Sequence, residues 1–197
     1  MVFGFPTIFC IFNGMDSTET IKKYPFVRGI DWDGNHRDYD MTRCMPDGWQ
    51  KPWFRETMLE DLKTAAIECG MDLDKMYLQD CKEKYGGLRL YFGGYGYRDG
   101  TGKFDDVVTA YEYLAESFCC VCGKPHVSMT HGWICPYCKD CWREEWGEFK
   151  EEEVGDVTIS SYDGDKRIVR KILLVPYYDR IIARMLECGG TSEETNV

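Results

Sequence analysis

Apolar residues recur at helical spacing in four stretches of the chain. Phe54, Met58, Leu62, Ala65 and Cys69 follow one another as one face of a helix. Pro52 suits its first turn, where a missing N–H costs nothing, and Gly70 supplies a stop. A second helix is expected from Asp105 as N-cap, with Val107, Tyr111, Leu114 and Phe118 on one stripe. A third should start near Lys139, carrying Trp142, Trp146 and Phe149 on one face. Pro176 opens a fourth, with Tyr178, Ile181, Ile182 and Met185 inward and Gly189 at its end.

Elsewhere the period is two. Leu88, Leu90 and Phe92 alternate with Arg89 and Tyr91, and Gly86-Gly87 before them permits a tight hairpin turn. Val157 to Tyr162 and Arg167 to Val175 read as two strands around Asp163-Gly164, and Phe5 to Phe12 as a buried strand. Residues 13–50 are turn-rich and show no period, and residues 93–103 form a Gly-rich loop. These elements predict an α+β fold with a small antiparallel sheet and about four helices. Residues 1–118 would be an α+β core, 119–153 a finger, 154–188 a hairpin and helix packed on the core, and 189–197 a disordered tail.

Composition narrows this picture. Of 197 residues, 44% are hydrophobic and 15% aromatic, enough for a packed core and for contact surfaces. The net charge of −10 repels phosphate backbones, which disfavours nucleic acid, and suits a partner with a basic surface. For any single acidic run, solubility is the plainer account. The apolar start of about a dozen residues lacks a basic flank and a cleavage site and is too short to span a bilayer. Eleven cysteines, an odd number with six clustered, make a poor disulfide framework. A reducing, cytoplasmic setting is therefore expected, with the clustered thiols held by metal.

The cluster reads CCVCGKPHVSMTHGWICPYCKDCW. Cys119-x2-Cys122 and Cys138-x2-Cys141 are separated by fifteen residues. Each pair can place two thiolates on one side of an ion, and four soft ligands at tetrahedral corners are what structural zinc requires. Gly123 suits the first knuckle, a short hairpin can form around His131-Gly132, and the second pair would open the third helix. That order resembles a treble-clef finger. Cys120 is too close to Cys122 to replace Cys119, while Cys135-x2-Cys138 is a rival pair that would leave Cys141 idle. His126 and His131 read as surface loop residues. Four thiolates leave zinc no open position for catalysis, so Zn2+ is expected to be structural. The expected helix after Cys141 is acidic, with Glu144, Glu145, Glu148, Glu151, Glu152 and Glu153, the wrong charge for a groove-reading finger.

Other constellations carry less. Asp31-Trp32-Asp33-Gly34-Asn35 imitates the start of a calcium loop but has His36 at the sixth place and Thr42 at the twelfth. Gly93-Gly94-Tyr95-Gly96 lacks the Lys-Ser/Thr of a P-loop. Three His show no triad arrangement, and no carboxylate pair is marked by spacing. Lys82, Lys84 and Arg89, with Tyr91, form a local basic cluster on the Gly-Gly hairpin. It reads either as part of a structural turn or as a binding edge, and Trp142 and Trp146 are candidate anchors if exposed.

Three stretches together resemble a family of small, uncharacterised proteins of bacteria and their phages. They are Cys44-Met-Pro-Asp-Gly-Trp49, Lys82-Glu-Lys-Tyr-Gly-Gly-Leu-Arg-Leu-Tyr91 and Cys119 to Cys141. The likeness covers about residues 44–142. Relatives often carry His where this chain has Cys141. The resemblance implies a phage or prophage setting, a zinc knuckle and no established activity. The expectation is a non-enzymatic protein that binds and modulates a host protein, with anti-defence action or nucleic-acid mimicry as forms this could take. The alternatives are an enzyme acting on nucleic acid or nucleotides, and a zinc-finger nucleic-acid binder.

Overall fold

The computed structural model describes residues 16–94, 102–163 and 165–189. The strand expected at Phe5–Phe12, most of the Gly-rich loop, Gly164 and residues 190–197 lie outside them. Four α-helices are present among the described residues: α1 (Ser17–Lys23), α2 (Pro52–Glu68), α3 (Lys103–Leu114) and α4 (Val175–Glu187). All strand pairing is antiparallel, so the mixed α+β class holds. The strands form four separate two-stranded ladders instead of one sheet. They are β1 (Arg28–Ile30) with β2 (His36–Asp40), β3 (Tyr77–Lys84) with β4 (Gly87–Gly93), β5 (Val127–Met129) with β6 (Pro136–Cys138), and β7 (Val157–Asp163) with β8 (Lys166–Ile172).

Helix α2 is the spine. Its apolar stripe buries Phe54, Met58, Leu62 and Ala65 fully or nearly so, against α3 and α4. It ends in a Schellman motif: Met71 N–H donates to Ala66 O (2.9 Å) and Gly70 N–H to Ile67 O (3.0 Å). Gly70 takes φ +69, a backbone that side-chain-bearing residues rarely adopt. Rings then knit the elements together edge to face, Phe54 on Phe118 at 5.4 Å and Phe92 on Phe104 at 5.3 Å.

One polar network is buried within this core. Arg55 on α2 pairs with the fully buried Asp40 at the end of β2, and its Nε donates to Thr42 Oγ1 (2.7 Å). Thr42 returns its hydroxyl to Asp40 Oδ1 (2.6 Å), and Thr20 Oγ1 of α1 accepts from Arg55 Nη2 (3.3 Å). A buried ion pair is tolerated only when its remaining lone pairs and protons are met, and here they are. The network fixes the otherwise patternless residues 17–44 to the spine.

Two expected helices are corrected. α3 starts at Lys103 behind Gly102, whose φ of +68 turns the chain in, so Asp105 lies in the first turn and is not the cap. Phe118 is past its end, in extended backbone after a 3₁₀ turn at Ala115–Ser117. The helix expected near Lys139 does not form. Two short 3₁₀ turns, Lys139–Cys141 and Glu144–Trp146, take its place, and Gly147 breaks the chain at φ +90. Trp142, Trp146 and Phe149 make a ladder of rings packed edge to face, tilted at its Tyr137 end. Trp146 lies 4.5 Å from Tyr137, and Trp142 5.5 Å from both Trp146 and Phe149. The chain beyond them returns along β5, with Glu152 N–H on Val127 O (2.8 Å).

Candidate metal centre

The knuckle at Cys119–Cys122 is shaped by its backbone. Cys119 N–H donates to Lys124 O (2.8 Å) and Gly123 N–H to Cys119 O (2.8 Å), with Gly123 at φ +76. β5 and β6 then carry the chain out and back, pairing Val127 with Cys138, which sets Cys138 beside the knuckle. The 3₁₀ turn Lys139–Cys141 swings the fourth thiol round. Lys124 and Asp140 pair at 2.6 Å and tie one knuckle to the other.

The four sulfurs of Cys119, Cys122, Cys138 and Cys141 all lie within 4.8 Å of one another, and Cys122 Sγ is 3.4 Å from Cys138 Sγ. A tetrahedron with metal–sulfur bonds of about 2.3 Å has edges of about 3.8 Å. The donor set therefore fits one soft divalent ion. It is the one such cluster of Cys, His, Asp and Glu side chains among the described residues. Hydrogen bonds from Cys122 and Cys138 drive the Cys119 thiol down to about 2. The Cys122 thiol rises to about 12 through its hydrogen bond to Cys119, the Cys138 thiol rises for the same reason, and burial lifts Cys141 to about 12. A cation displaces the protons those sulfurs hold.

The six clustered cysteines divide four and two. Cys120 and Cys135, both buried, hydrogen-bond to each other, which lifts the Cys120 thiol and lowers that of Cys135. Cys135 is thus no rival ligand; it packs in the main core with Cys120. His126 turns away at φ +59 and its Nδ1 meets Glu151 Oε1 at 2.5 Å, while His131 is exposed in the β5–β6 turn.

Sequence reasoning missed how the centre is seated. Gly48 N–H donates to Cys120 O (2.9 Å), Trp49 Nε1 to Phe118 O (2.9 Å) and Trp53 Nε1 to Gly123 O (3.0 Å). A Cβ on Gly48 would fall 2.0 Å from Cys119 O, and one on Gly123 would fall 2.5 Å from Gly48 O. Two backbones meet there at a distance only paired glycines permit. The Gly48-Trp49 dipeptide was visible in the sequence, but nothing local linked it to the cysteines.

The expected binding residues separate. Lys82, Lys84 and Tyr91 share the outer face of the β3–β4 hairpin. Lys82 pairs with Asp80 and lies 5.9 Å over the Tyr91 ring, and Lys84 lies 5.5 Å over Tyr85. Arg89 does not join them as a free charge: it is half-buried, donating from Nη1 to Leu88 O (2.6 Å). Trp142 and Trp146 are half-buried in the ring ladder and not in the main core, and Trp142 Nε1 donates to Gly147 O (3.0 Å).

Arg89 has two acidic neighbours. Burial raises Glu112 and Glu116, and the nearby Arg89 charge only partly offsets it. Glu116 also lines a groove of about 240 Å3 with Glu152 and Glu153, and Glu152 raises it further. A carboxyl whose folded value is raised binds more protons folded than unfolded. It therefore costs stability as pH climbs from the unfolded value through the folded one, and that cost persists at neutral pH. Glu116→Gln is expected to raise the melting temperature at pH 7 and to leave it nearly unchanged at pH 4, as read by thermal unfolding at both.

No helix among the described residues is long and apolar enough to cross a membrane. Comparison with protein-family models, with curated proteins and with solved structures found no match to this chain.

Proposed function

We propose that this chain is a zinc-stabilised protein that acts by binding another protein, with the ion in a structural role. The observation that carries this is the closed set of four cysteine sulfurs, which uses every corner of a tetrahedral ion and leaves none for substrate. All-thiolate donors suit zinc among the common divalent ions. Around the centre stand half-exposed aromatic rings and a run of carboxylates, the materials of a contact surface toward a basic protein. The motif likeness to proteins of bacteria and their phages supports a host protein as target, met in the host cytoplasm. Acidic mimicry of nucleic acid is the form this would take against a nucleic-acid enzyme.

Elemental analysis of pure, reduced protein should find one zinc per chain. Affinity capture from host lysate, read by mass spectrometry, should then recover the same host protein with the intact chain and lose it with Cys138→Ser. Absence of stoichiometric metal defeats the first half of the proposal, and absence of any reproducible captured protein defeats the second.

A further inference from the structure

The tips of two hairpins meet at Gly86. A Cβ there would lie 2.3 Å from Met129 Cε and 3.1 Å from Ile134 Cγ2, so the β5–β6 tip presses against the β3–β4 turn through a missing side chain. The junction leaves a cleft of about 260 Å3 lined by Glu83, Lys84, Tyr85, Gly132, Trp133 and Ile134. Its apolar walls face solvent: Tyr85 is 71% exposed, Trp133 79% and Ile134 40%.

Tyr85 stands at φ +55 and Gly86 at φ +81, the two left-handed positions of a type I′ turn. Asn, Asp or Gly takes the first of these with little strain, whereas a residue of Tyr's shape does so only at a cost. Packing does not offset that cost, because the ring is largely exposed. An aromatic side chain held in a strained turn and offered to solvent is the arrangement found where a residue serves a contact.

Charge selects the occupant. The Glu83 carboxylate is turned to its own turn, accepting from Gly86 N–H at 2.7 Å. The Lys84 ammonium lies 5.5 Å over the Tyr85 ring and lines the cleft, while Lys82 on the same face is paired with Asp80, so Lys84 is the cation the cleft offers. The cleft thus offers aromatic walls and a positive lip on a chain of net charge −10. A long polyanion would meet the field of the whole chain, while a short segment meets only the lip.

We infer that this cleft docks a peptide segment of the protein partner, one with an aromatic or branched aliphatic anchor flanked by carboxylates. The anchor enters between Tyr85 and Trp133 and a carboxylate reaches Lys84. The inference rests on the protein-binding reading above and adds to its acidic surface around the centre a second contact, at the hairpin tips, for an acidic segment of the same partner.

The test is selection of a displayed library of random dodecamer peptides on the metal-loaded full chain, followed by affinity measurement on the enriched peptides. Enrichment of an aromatic or aliphatic residue beside Asp or Glu is expected. Binding should weaken roughly tenfold or more with Trp133→Ala, and several-fold with Lys84→Glu. Tyr85→Asn separates contact from folding, because Asn suits the turn: it should raise thermal stability while weakening binding as Trp133→Ala does. Peptides that depend on Trp142 or Trp146 and ignore Tyr85→Asn and Trp133→Ala would overturn the cleft and leave the protein-binding reading standing. A library with no enriched peptide would overturn the cleft, and host capture would then judge the wider reading alone. Binding of a fifteen-nucleotide thymidine oligomer that is lost in the same two variants would assign the cleft to single-stranded nucleic acid and overturn the peptide.

Discussion

Stripping the metal from the reduced protein, or replacing Cys138 with Ser, unfolds the segment from Cys119 to Lys150 and leaves α2, α3 and α4 largely helical. The reason is arithmetic. Around the centre only Cys119, Val127 and Cys138 are buried as a cluster of their own. One buried Val contributes about 1.5–3 kcal/mol, against about 10 kcal/mol or more for a structural zinc site. Paired carbonyls and a three-residue ladder do not close that gap. Tryptophan fluorescence and limited tryptic proteolysis should both report the loss, with new cleavage after Lys139 and Arg143, while far-UV dichroism keeps most of its helical signal. Acid should act in the same direction. The ion displaces protons from thiols pushed up to about 12, Cys122 and Cys141 among them. Its contribution therefore grows with pH and is lost as pH falls. Melting that is indifferent to complete metal removal would contradict this account.

Gly48→Ala is expected to cost about 3 kcal/mol or more, a large effect for the addition of one methyl group. The new carbon would overlap Cys119 O, Gly123 N and Cys120 C, at 2.0, 2.7 and 2.8 Å. All three are backbone atoms of the knuckle and cannot swing aside as a flexible side chain would. Relief requires parting the knuckle from α2, which also breaks the Trp49 and Trp53 hydrogen bonds. Gly34→Ala is the contrast: its backbone is left-handed, at φ +84, which that of Gly48 is not, and nothing lies within 4 Å of the added carbon. Chemical denaturation of the two variants should separate backbone strain, at Gly34, from collision, at Gly48. Equal midpoints would remove the seat from the account of stability.

Much of this was legible in the sequence where pattern is local. α2 and α4 follow from apolar spacing with Pro at one end and Gly at the other, and the β3–β4 hairpin from alternation, although its turn falls at Tyr85-Gly86, one residue before the expected Gly86-Gly87. The paired cysteines announced themselves by spacing. What escaped was decided between distant segments. Trp142, Trp146 and Phe149 satisfy a helical period, yet their rings prefer each other and Tyr137, because Gly147 and the return to β5 pull the chain out of a helix. The Cys120–Cys135 pairing, the Asp40–Arg55 network and the Gly48 seat are each a contact across long separation, and no periodicity marks such a contact. Residues 17–44 looked unassignable because their order comes from Arg55 and not from any period of their own.

Trp49 and Trp53 give their indole protons to carbonyls 69 and 70 residues further along the chain. A ribosome releases the donors well before the acceptors exist. During that interval the entry to α2 has an unsheltered pair of large rings and no partner for them. Docking waits until residues 118–123 have emerged, and until then the entry to α2 is open to chaperones and proteases.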